Sequence, residues 1–344
     1  MKFLSAFSRK KRSGTAVLFD VGANSVAGAC VYAAENAPVK VAYATRAPIT
    51  LHEKDTKEQA MLRSLELVGD GLIKEGAPAL SRLMGSGAPE KILISFGAPW
   101  QETVLHTEHL REKEPFTVTR SRVADALLSL EHATPGKLLV DRSVVGTILN
   151  GYVIADPYGK KANTASIVTL FSAVNEGVLR SVNGVCVRLY HRRDIDNISD
   201  TALFYQAIRR AFPHERDALI LDATGPEVSV MLVRQGLLVC LHEKPGGKTG
   251  TAEWTKGLKE GLAELARNFP LPRTIFLIAG EGDGQKLKEI LGKTDLAALW
   301  YADQPPAVIP VFSKQLSAFV GLTTDADIRL ALMALYYREF LRDA

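Results

Sequence analysis

The sequence predicts an α/β protein made of two related halves with a smaller module inserted between them. Two stretches carry this prediction, AVLFDVGANSVAGACVYA at 16–33 and ALILDATGPEVSVMLVRQG at 218–236. Each stretch runs an apolar strand into an aspartate, turns at a glycine and resumes alternating β-branched residues. Their spacing of roughly 200 residues is far too long for a solenoid repeat. We therefore expect an internal duplication, with Asp20 and Asp222 at equivalent strand ends.

Composition excludes several classes of protein. The chain has 344 residues, of which 47% are apolar and 23% charged, as in an ordinary globular protein. It contains no run of about 18 apolar residues, so no membrane span is expected. Its opening residues lack the apolar core of a signal peptide. The three cysteines stand apart from one another, which indicates reduced thiols and a cytoplasmic location rather than a metal site.

The net charge of +4 belongs to a short tail. Residues 1–14 hold five basic residues and no acid, whereas the remainder of the chain has 37 basic and 38 acidic residues. The body therefore lacks the basic surface of a nucleic-acid-binding protein. The tail is interpreted as a disordered, solubilising end, with peripheral contact to anionic lipid as the alternative.

The first half is predicted as a meander of strands followed by a helix. Strands at 16–21, 26–32 and 39–43 pair in antiparallel fashion. Apolar residues at helical spacing then predict a helix at about 56–84. The apolar run KILISF, which ends at Gly97, adds a further strand to the same sheet.

Between the halves, residues 99–182 are predicted as a small α/β module. Thr119 is placed to cap a helix, and strands flank the type I turn written Asp156-Pro157-Tyr158-Gly159. The module interrupts the duplicated pattern, so we expect it to be an insertion.

The second half repeats the order of the first. A helix at about 199–212 precedes the Asp222 meander, and glycine turns then lead into two further helices separated by the strand TIFLIA. A closing helix at about 325–342 carries apolar residues in a stripe, which favours packing in the core over a membrane surface.

Three motifs, FDVGANSV, LDATGPEVSV and IAGEGDGQKL, resemble in order and spacing those of the actin-like ATPase superfamily. The inserted module resembles that of its FtsA and PilM families, of which PilM is the more similar. The resemblance covers nearly all of the chain from residue 15. It implies two ribonuclease-H-like domains around a nucleotide cleft. The implied domains are 15–98 with 183–214 and 330–344, then 215–329, with 99–182 as the inserted module and 1–14 as the tail.

The resemblance also implies ATP and Mg²⁺ as cofactors. It assigns Asp20 and Asp222 to the metal ion through water molecules, and Gln206 is the weak candidate for orienting a hydrolytic water. A hairpin turn without bulky side chains lets backbone N–H groups approach phosphate oxygens. The alternative is that both aspartates merely end strands, where Asp and Gly are common. The implied nucleotide-binding residues are Gly22, Ala23, Asn24, Ser25, Thr224, Gly225, Gly247, Lys248, Gly280 and Gly282.

The motifs depart from the family pattern at several positions. Val26 and Ala27 stand where the first loop usually has a lysine, and Thr224 and Pro226 alter the second loop. Proline removes one backbone donor from a phosphate cradle. Glu281 separates two glycines that are usually adjacent. We therefore expect ATP turnover to be slow or absent.

The expected function is that of a cytoplasmic, ATP-binding scaffold at the inner face of the cell membrane. The resemblance implies self-association into rings or filaments and docking of a cytoplasmic peptide from an inner-membrane protein, in type IV pilus or related secretion machinery. Trp100 and Phe116 are candidate peptide anchors, with core packing as the alternative. Three other functions stay open: an FtsA-like cell-division filament protein, a degenerate interaction module without nucleotide, and a small-molecule kinase.

Overall fold

The computed structural model describes residues 13–128, 135–154, 156–280, 282–300, 306–322 and 326–343. Most of the basic tail therefore lies outside the described residues. The chain divides into two compact units. The first contains Met1–Gly97, Arg180–Ala211 and Phe312–Ala344, and the second contains Ala98–Leu179 and Phe212–Val311. Among the helices that the structure describes, none is both long and apolar enough to span a bilayer.

The first unit is built on a six-stranded sheet in the order β15-β3-β2-β1-β4-β9. Strands β1, β2 and β3 form the predicted antiparallel meander, and β4 and β9 extend the sheet parallel to β1. The short β15 pairs in parallel with β3. The strands are β1 (Ser13–Val21), β2 (Ser25–Ala34), β3 (Val39–Pro48), β4 (Lys91–Phe96), β9 (Ile195–Ser199) and β15 (Val320–Leu322).

The second unit contains a five-stranded sheet in the order β12-β11-β10-β13-β14. Two antiparallel pairings and then two parallel ones repeat the directions of β3-β2-β1-β4-β9. The expected duplication is therefore confirmed. The strands are β10 (Ala218–Asp222), β11 (Glu227–Arg234), β12 (Leu237–Pro245), β13 (Thr274–Ile278) and β14 (Ala307–Val311).

The inserted region forms a four-stranded antiparallel sheet in the same unit, in the order β5-β8-β6-β7. Its helix α3 (Arg120–Leu128) begins after Thr119, whose hydroxyl accepts the Arg122 backbone N–H at 3.2 Å. A Cβ at Gly146 would lie 2.7 Å from Leu237, so β6 and β12 touch at this point. The division into three domains stays a prediction. The strands are β5 (Gln101–Thr117), β6 (Lys137–Leu149), β7 (Tyr152–Val153) and β8 (Lys161–Asn175).

The helix predicted at 56–84 is interrupted by a π-helical turn, Leu72–Gly76. The turn packs closely on the sheet, because a Cβ at Gly76 would lie 2.6 Å from the Cys30 sulfur. The closing helix buries Leu330 and Met333, which confirms core packing. The helices besides α3 are α1 (Lys57–Gly71), α2 (Ala77–Met84), α4 (Glu176–Tyr190), α5 (Asp200–Ala211), α6 (Ala252–Asn268), α7 (Gly284–Lys293) and α8 (Ile328–Asp343).

Candidate functional site

The first Asp-Gly hairpin lies at the carboxyl edge of the first sheet. Because β1, β4 and β9 are parallel, Asp20 near the end of β1 shares this edge with Asp200, which directly follows β9. Arg46 on β3 and Arg329 near the start of α8 reach the same place. We call these four residues and Asp327 the first corner.

Asp20 is buried and accepts hydrogen bonds from four donors. Arg329 binds it in a two-pronged arrangement, with Nε 2.9 Å from Oδ2 and Nη2 2.8 Å from Oδ1. Arg46 Nη2 lies 3.3 Å from Oδ2, and the Ser95 hydroxyl lies 3.2 Å from Oδ1. Both carboxylate oxygens therefore face cationic donors, which form the strongest hydrogen bonds in proteins.

Arg46 connects the hairpin to the closing helix. Its Nε and Nη2 lie 2.8 and 2.6 Å from Asp327 Oδ2, and its Nη1 lies 2.6 Å from the Ser25 hydroxyl oxygen. Asp327 also caps α8, because its Oδ1 accepts the Leu330 backbone N–H at 3.1 Å. A single arginine thus joins the hairpin loop, β3 and α8.

The electrostatic effect of the arginines is visible at Asp20. Burial by itself would raise the pKa of this carboxyl group, because a charge is poorly solvated inside a protein. The guanidinium groups of Arg329 and Arg46 outweigh burial and hold the pKa of Asp20 below its ordinary value of 3.8. Asp20 is therefore a buried carboxylate that is charged and paired.

The loop residues of the first hairpin are partly engaged by their own backbone. The Gly22 N–H donates to the Ser25 carbonyl oxygen at 3.1 Å, and the Ile49 N–H donates to the Asn24 carbonyl oxygen at 2.8 Å. Ala23 is buried, whereas Asn24 is exposed. The hairpin has the shape expected of a tight turn, but the Gly22 donor is directed into the turn.

The second hairpin is closed by local hydrogen bonds. Asp222 Oδ1 accepts the backbone N–H of Thr224 at 2.9 Å and its hydroxyl group at 2.6 Å. Asp222 ends β10, as Asp20 lies near the end of β1. Aspartates commonly bond in this way to the backbone two residues on, which forms a turn without help from distant parts of the chain. We call Asp222, Thr224 and Gly225 the second corner.

The structure brings the glycine turn before α6 next to the second corner. The Thr249 hydroxyl donates to the Gly225 carbonyl oxygen at 2.9 Å, and the Gly246 N–H donates to the Pro226 carbonyl oxygen at 3.0 Å. Gly247 has a φ of +71°, a conformation that favours glycine. The glycine turn before α6 therefore packs against the second corner.

The remaining predicted residues lie in three places. Lys248 is exposed beside Gly247. Gly280 and Gly282 follow β13, which runs parallel to β10, so they lie beyond the same sheet edge as Asp222. Gln206 is half-buried in α5 of the first unit, about 9 Å along the helix axis from Asp200. Their roles toward a nucleotide stay predictions.

The first corner does not fit a magnesium ion. Mg²⁺ takes near-octahedral oxygen ligands at about 2.0–2.1 Å and keeps several waters. Here both oxygens of Asp20 accept from guanidinium groups, whose positive charges also repel a divalent cation. Within the described part of the chain, no group of three or more His, Cys, Asp or Glu side chains is placed to hold a metal ion.

Sequence reasoning missed the partners of Asp20. Arg46 and Arg329 lie 26 and 309 residues from it along the chain, so no local pattern joins them. One signal was present for Arg329. It precedes Met333 by four residues, on the stripe of α8 that is buried, and a charged residue in such a stripe needs a partner.

No protein-family model and no curated protein matches this chain. Among solved structures, a chain of the PilM-PilN type IV pilus biogenesis complex is similar with a TM-score of 0.58 and 13% identity, over 96% of this chain and 99% of that one. This chain has the actin-like ATPase fold. The fold prediction is therefore confirmed.

Two weaker likenesses accompany this actin-like match. A Bacteroides thetaiotaomicron protein, described as having an actin-like ATPase fold and unknown function, has a TM-score of 0.47 at 8% identity, over 97% of this chain and 99% of its own. The cytoplasmic domain of EpsL, an inner-membrane component of the type II secretion system of Vibrio cholerae, has a TM-score of 0.42 at 12% identity, over 95% of both chains. At such identities the likeness concerns the fold alone.

Proposed function

We propose that this chain is an actin-like scaffold that captures a short cytoplasmic segment of an inner-membrane protein in pilus or secretion machinery. The observation that carries the proposal is the likeness to a chain of the PilM-PilN complex, which extends over nearly the whole of both chains and includes the inserted module. In this proposal the protein works at the cytoplasmic face of the inner membrane.

The inserted module has a surface that suits such a segment. Val104 on β5 pairs with Phe171 on β8, and Leu139 and Val144 on β6 pair with Ala173 and Thr169, two residues to either side of Phe171. Side chains two residues apart on a strand share a face. Val104 is 62% exposed, Leu139 44% and Val144 41%. Phe171, on the strand between them, packs against the module core. We call the exposed residues Val104, Leu139 and Val144 the module patch.

An extended, apolar peptide is the occupant that best matches this surface. The strand β5 is the outermost strand of its sheet and is 17 residues long. A peptide can add to such an edge through backbone hydrogen bonds while its alternate side chains contact neighbouring apolar residues. Phe116, one of the predicted anchors, is buried in the core of the module. The module patch is therefore the better candidate for anchoring.

The proposal is tested with a labelled peptide from the cytoplasmic end of the PilN-type membrane protein of the same organism, by fluorescence anisotropy. Val104→Asp should weaken binding about tenfold or more, because it places a charge in an apolar contact. Leu67→Asp is the matched control, since Leu67 is 65% exposed but lies on α1 of the first unit. Failure of the wild type to bind, or equal binding by Val104→Asp, contradicts the proposal.

Nucleotide binding is a separate question from peptide capture. Binding of ATP with Mg²⁺, self-association into rings or filaments, and contact of residues 1–14 with lipid all stay predictions. The peptide-binding experiment is separate from all three, because it measures the module patch, which shares no residue with the first corner or the tail. The contacts of Asp20 oppose the part of the prediction that assigns magnesium to it.

A further inference from the structure

In the first corner, buried carboxylates are paired with arginines of the same chain. Its two most buried carboxylates, Asp20 and Asp200, face two arginines, since Arg329 Nη2 also lies 3.2 Å from Asp200 Oδ2. The third carboxylate, Asp327, is partly exposed and caps α8, where the positive end of the helix dipole offsets a negative charge. The buried negative charges are thus compensated by side chains of the chain itself.

The fold provides a specific path for Arg46. Asp20 on β1 lies directly opposite Ala27 on β2, and Ala27 lies directly opposite Arg46 on β3. Residues opposite each other in antiparallel strands project from the same face. Because Ala27 has only a methyl group, the long side chain of Arg46 can pass over it to Asp20. The pairing register of the sheet therefore lets Arg46 reach the Asp20 carboxylate from two strands away.

The fold also provides room for Arg329. A Cβ at Gly97 would lie 2.4 Å from Asp200 Oδ2 and 3.2 Å from Arg329 Nη2, so the ion pair fits only beside a glycine. The guanidinium carbon of Arg329 lies 4.9 Å from the centre of the Phe204 ring, in cation–π contact. Arg329 is therefore held by a carboxylate pair, an aromatic ring and a glycine gap.

We propose that Arg329 and Arg46 take the place of a divalent cation at Asp20, so that the first corner keeps its shape without magnesium or a magnesium nucleotide. The guanidinium groups of Arg329 and Arg46 together carry the charge of one divalent cation, but they are covalently part of the chain and cannot exchange. The first corner then acts as a permanent joint between the hairpin, β3, α5 and α8. This inference is independent of peptide capture by the module.

The test uses the full chain in scanning calorimetry, with MgCl₂ alone, with ATP and MgCl₂, and with ATP and EDTA, all at millimolar concentration. A ligand that binds only the folded state raises the unfolding temperature by mass action. The proposal expects that MgCl₂ alone does not raise the unfolding temperature. It also expects the same unfolding temperature with ATP and MgCl₂ as with ATP and EDTA. A rise that requires magnesium in the wild type overturns it.

Variants of the aspartates give a second, independent measurement. Asp20→Asn should lower the unfolding temperature by about 5 °C or more, because it leaves buried Arg329 without its main partner. Asp222→Asn is the matched control at the equivalent strand and should change it by less than half as much. If the arginine contacts contributed nothing to the first corner, Asp20→Asn would leave the unfolding temperature unchanged. An unchanged or raised unfolding temperature therefore overturns the proposal.

If Asp20→Asn does not fold, Arg46→Met replaces it, since the Arg46 side chain is 34% exposed and its loss is milder. The proposal expects a smaller fall in unfolding temperature and again no response to magnesium. An unfolding temperature equal to that of the wild type would contradict the role given to Arg46. The magnesium titration of the wild type stands whichever variant folds.

Discussion

Asp20 and Asp222 end equivalent strands of the two duplicated sheets, yet their carboxylates accept hydrogen bonds from different parts of the chain. Asp20 binds Arg46 and Arg329, which come from other elements. Asp222 binds Thr224, two residues away. The bonds of Asp20 can therefore form only when the unit is assembled, whereas the Asp222–Thr224 bonds can form with their turn. The same sequence motif thus places its aspartate in long-range ion pairs in one half and in hydrogen bonds within its own turn in the other.

The largest expected effect on stability comes from replacing Arg329, the main partner of Asp20. Arg329→Met should destabilise the first unit by about 3–5 kcal/mol, because Asp20 and Asp200 would keep their burial and lose their main cation. Arg63→Met is the control, since Arg63 pairs with Asp55 near the surface and such pairs contribute about 0–1 kcal/mol. Similar losses for the two variants would show that the first corner is not a buried joint.

The measurement must report on the first unit. All three tryptophans, Trp100, Trp254 and Trp300, lie in the second unit, so their fluorescence follows the wrong part of the molecule. Hydrogen exchange of the backbone amides of β1 and α8 reports on the first unit directly. We expect Arg329→Met to increase exchange there in proportion to the lost stability.

The next effect tests whether the first corner requires its glycine. Gly97→Ala should destabilise the first unit by about 1–3 kcal/mol, because the added methyl group would overlap the Asp200 carboxylate. Gly184→Ala is the control, because a Cβ there meets nothing within 4 Å. Equal stability of Gly97→Ala and the wild type, by hydrogen exchange, would contradict the close packing.

The fold was easier to predict from the sequence than the site. Apolar strands that end at or next to Asp20 and Asp222 predict the duplicated hairpins, and the apolar stripe on α8 predicts a core helix. The strand β14 was missed because its run is five residues and contains Pro310, and β15 has only three residues. The positions of the two aspartates could be predicted because a strand end is a local feature of the sequence. The arginines that contact Asp20 could not, because folding brings them there from distant parts of the chain.

Another carboxylate extends the comparison, because Asp141 on β6 is largely removed from solvent and has no cationic partner among the described residues. Its Oδ1 accepts the Ser143 hydroxyl at 2.7 Å, and its Oδ2 has no hydrogen-bond partner among the described residues. Burial, partly offset by hydrogen bonds from Ser143 and the Arg142 backbone, raises the pKa of Asp141 to about 6. Burial also acts on Asp20, so the arginines account for the opposite direction there.

The raised pKa of Asp141 predicts a pH dependence. The folded state holds this proton more tightly than the unfolded state, so the stabilisation it gives is complete below about pH 4 and is lost as pH rises through about 6. Asp141→Asn should therefore stabilise the second unit by about 1–2 kcal/mol at pH 7.5 and by about half as much at pH 5. Urea unfolding followed by tryptophan fluorescence measures this. A gain that does not change with pH would contradict the titration of Asp141.

The smallest expected effect lies in the second corner. Thr224→Val keeps the shape of the side chain and the backbone N–H bond to Asp222, and it removes only the hydroxyl bond of 2.6 Å. One hydrogen bond to a charged group in a partly buried turn is worth about 1 kcal/mol or slightly more. Tryptophan fluorescence suits this variant, because Trp254 is fully buried in the core of the same unit. Thr224→Ser, which keeps the hydroxyl, should remain close to the wild type. A loss for Thr224→Val as large as that for Arg329→Met would mean that both corners are tertiary joints, and the contrast between them would fail.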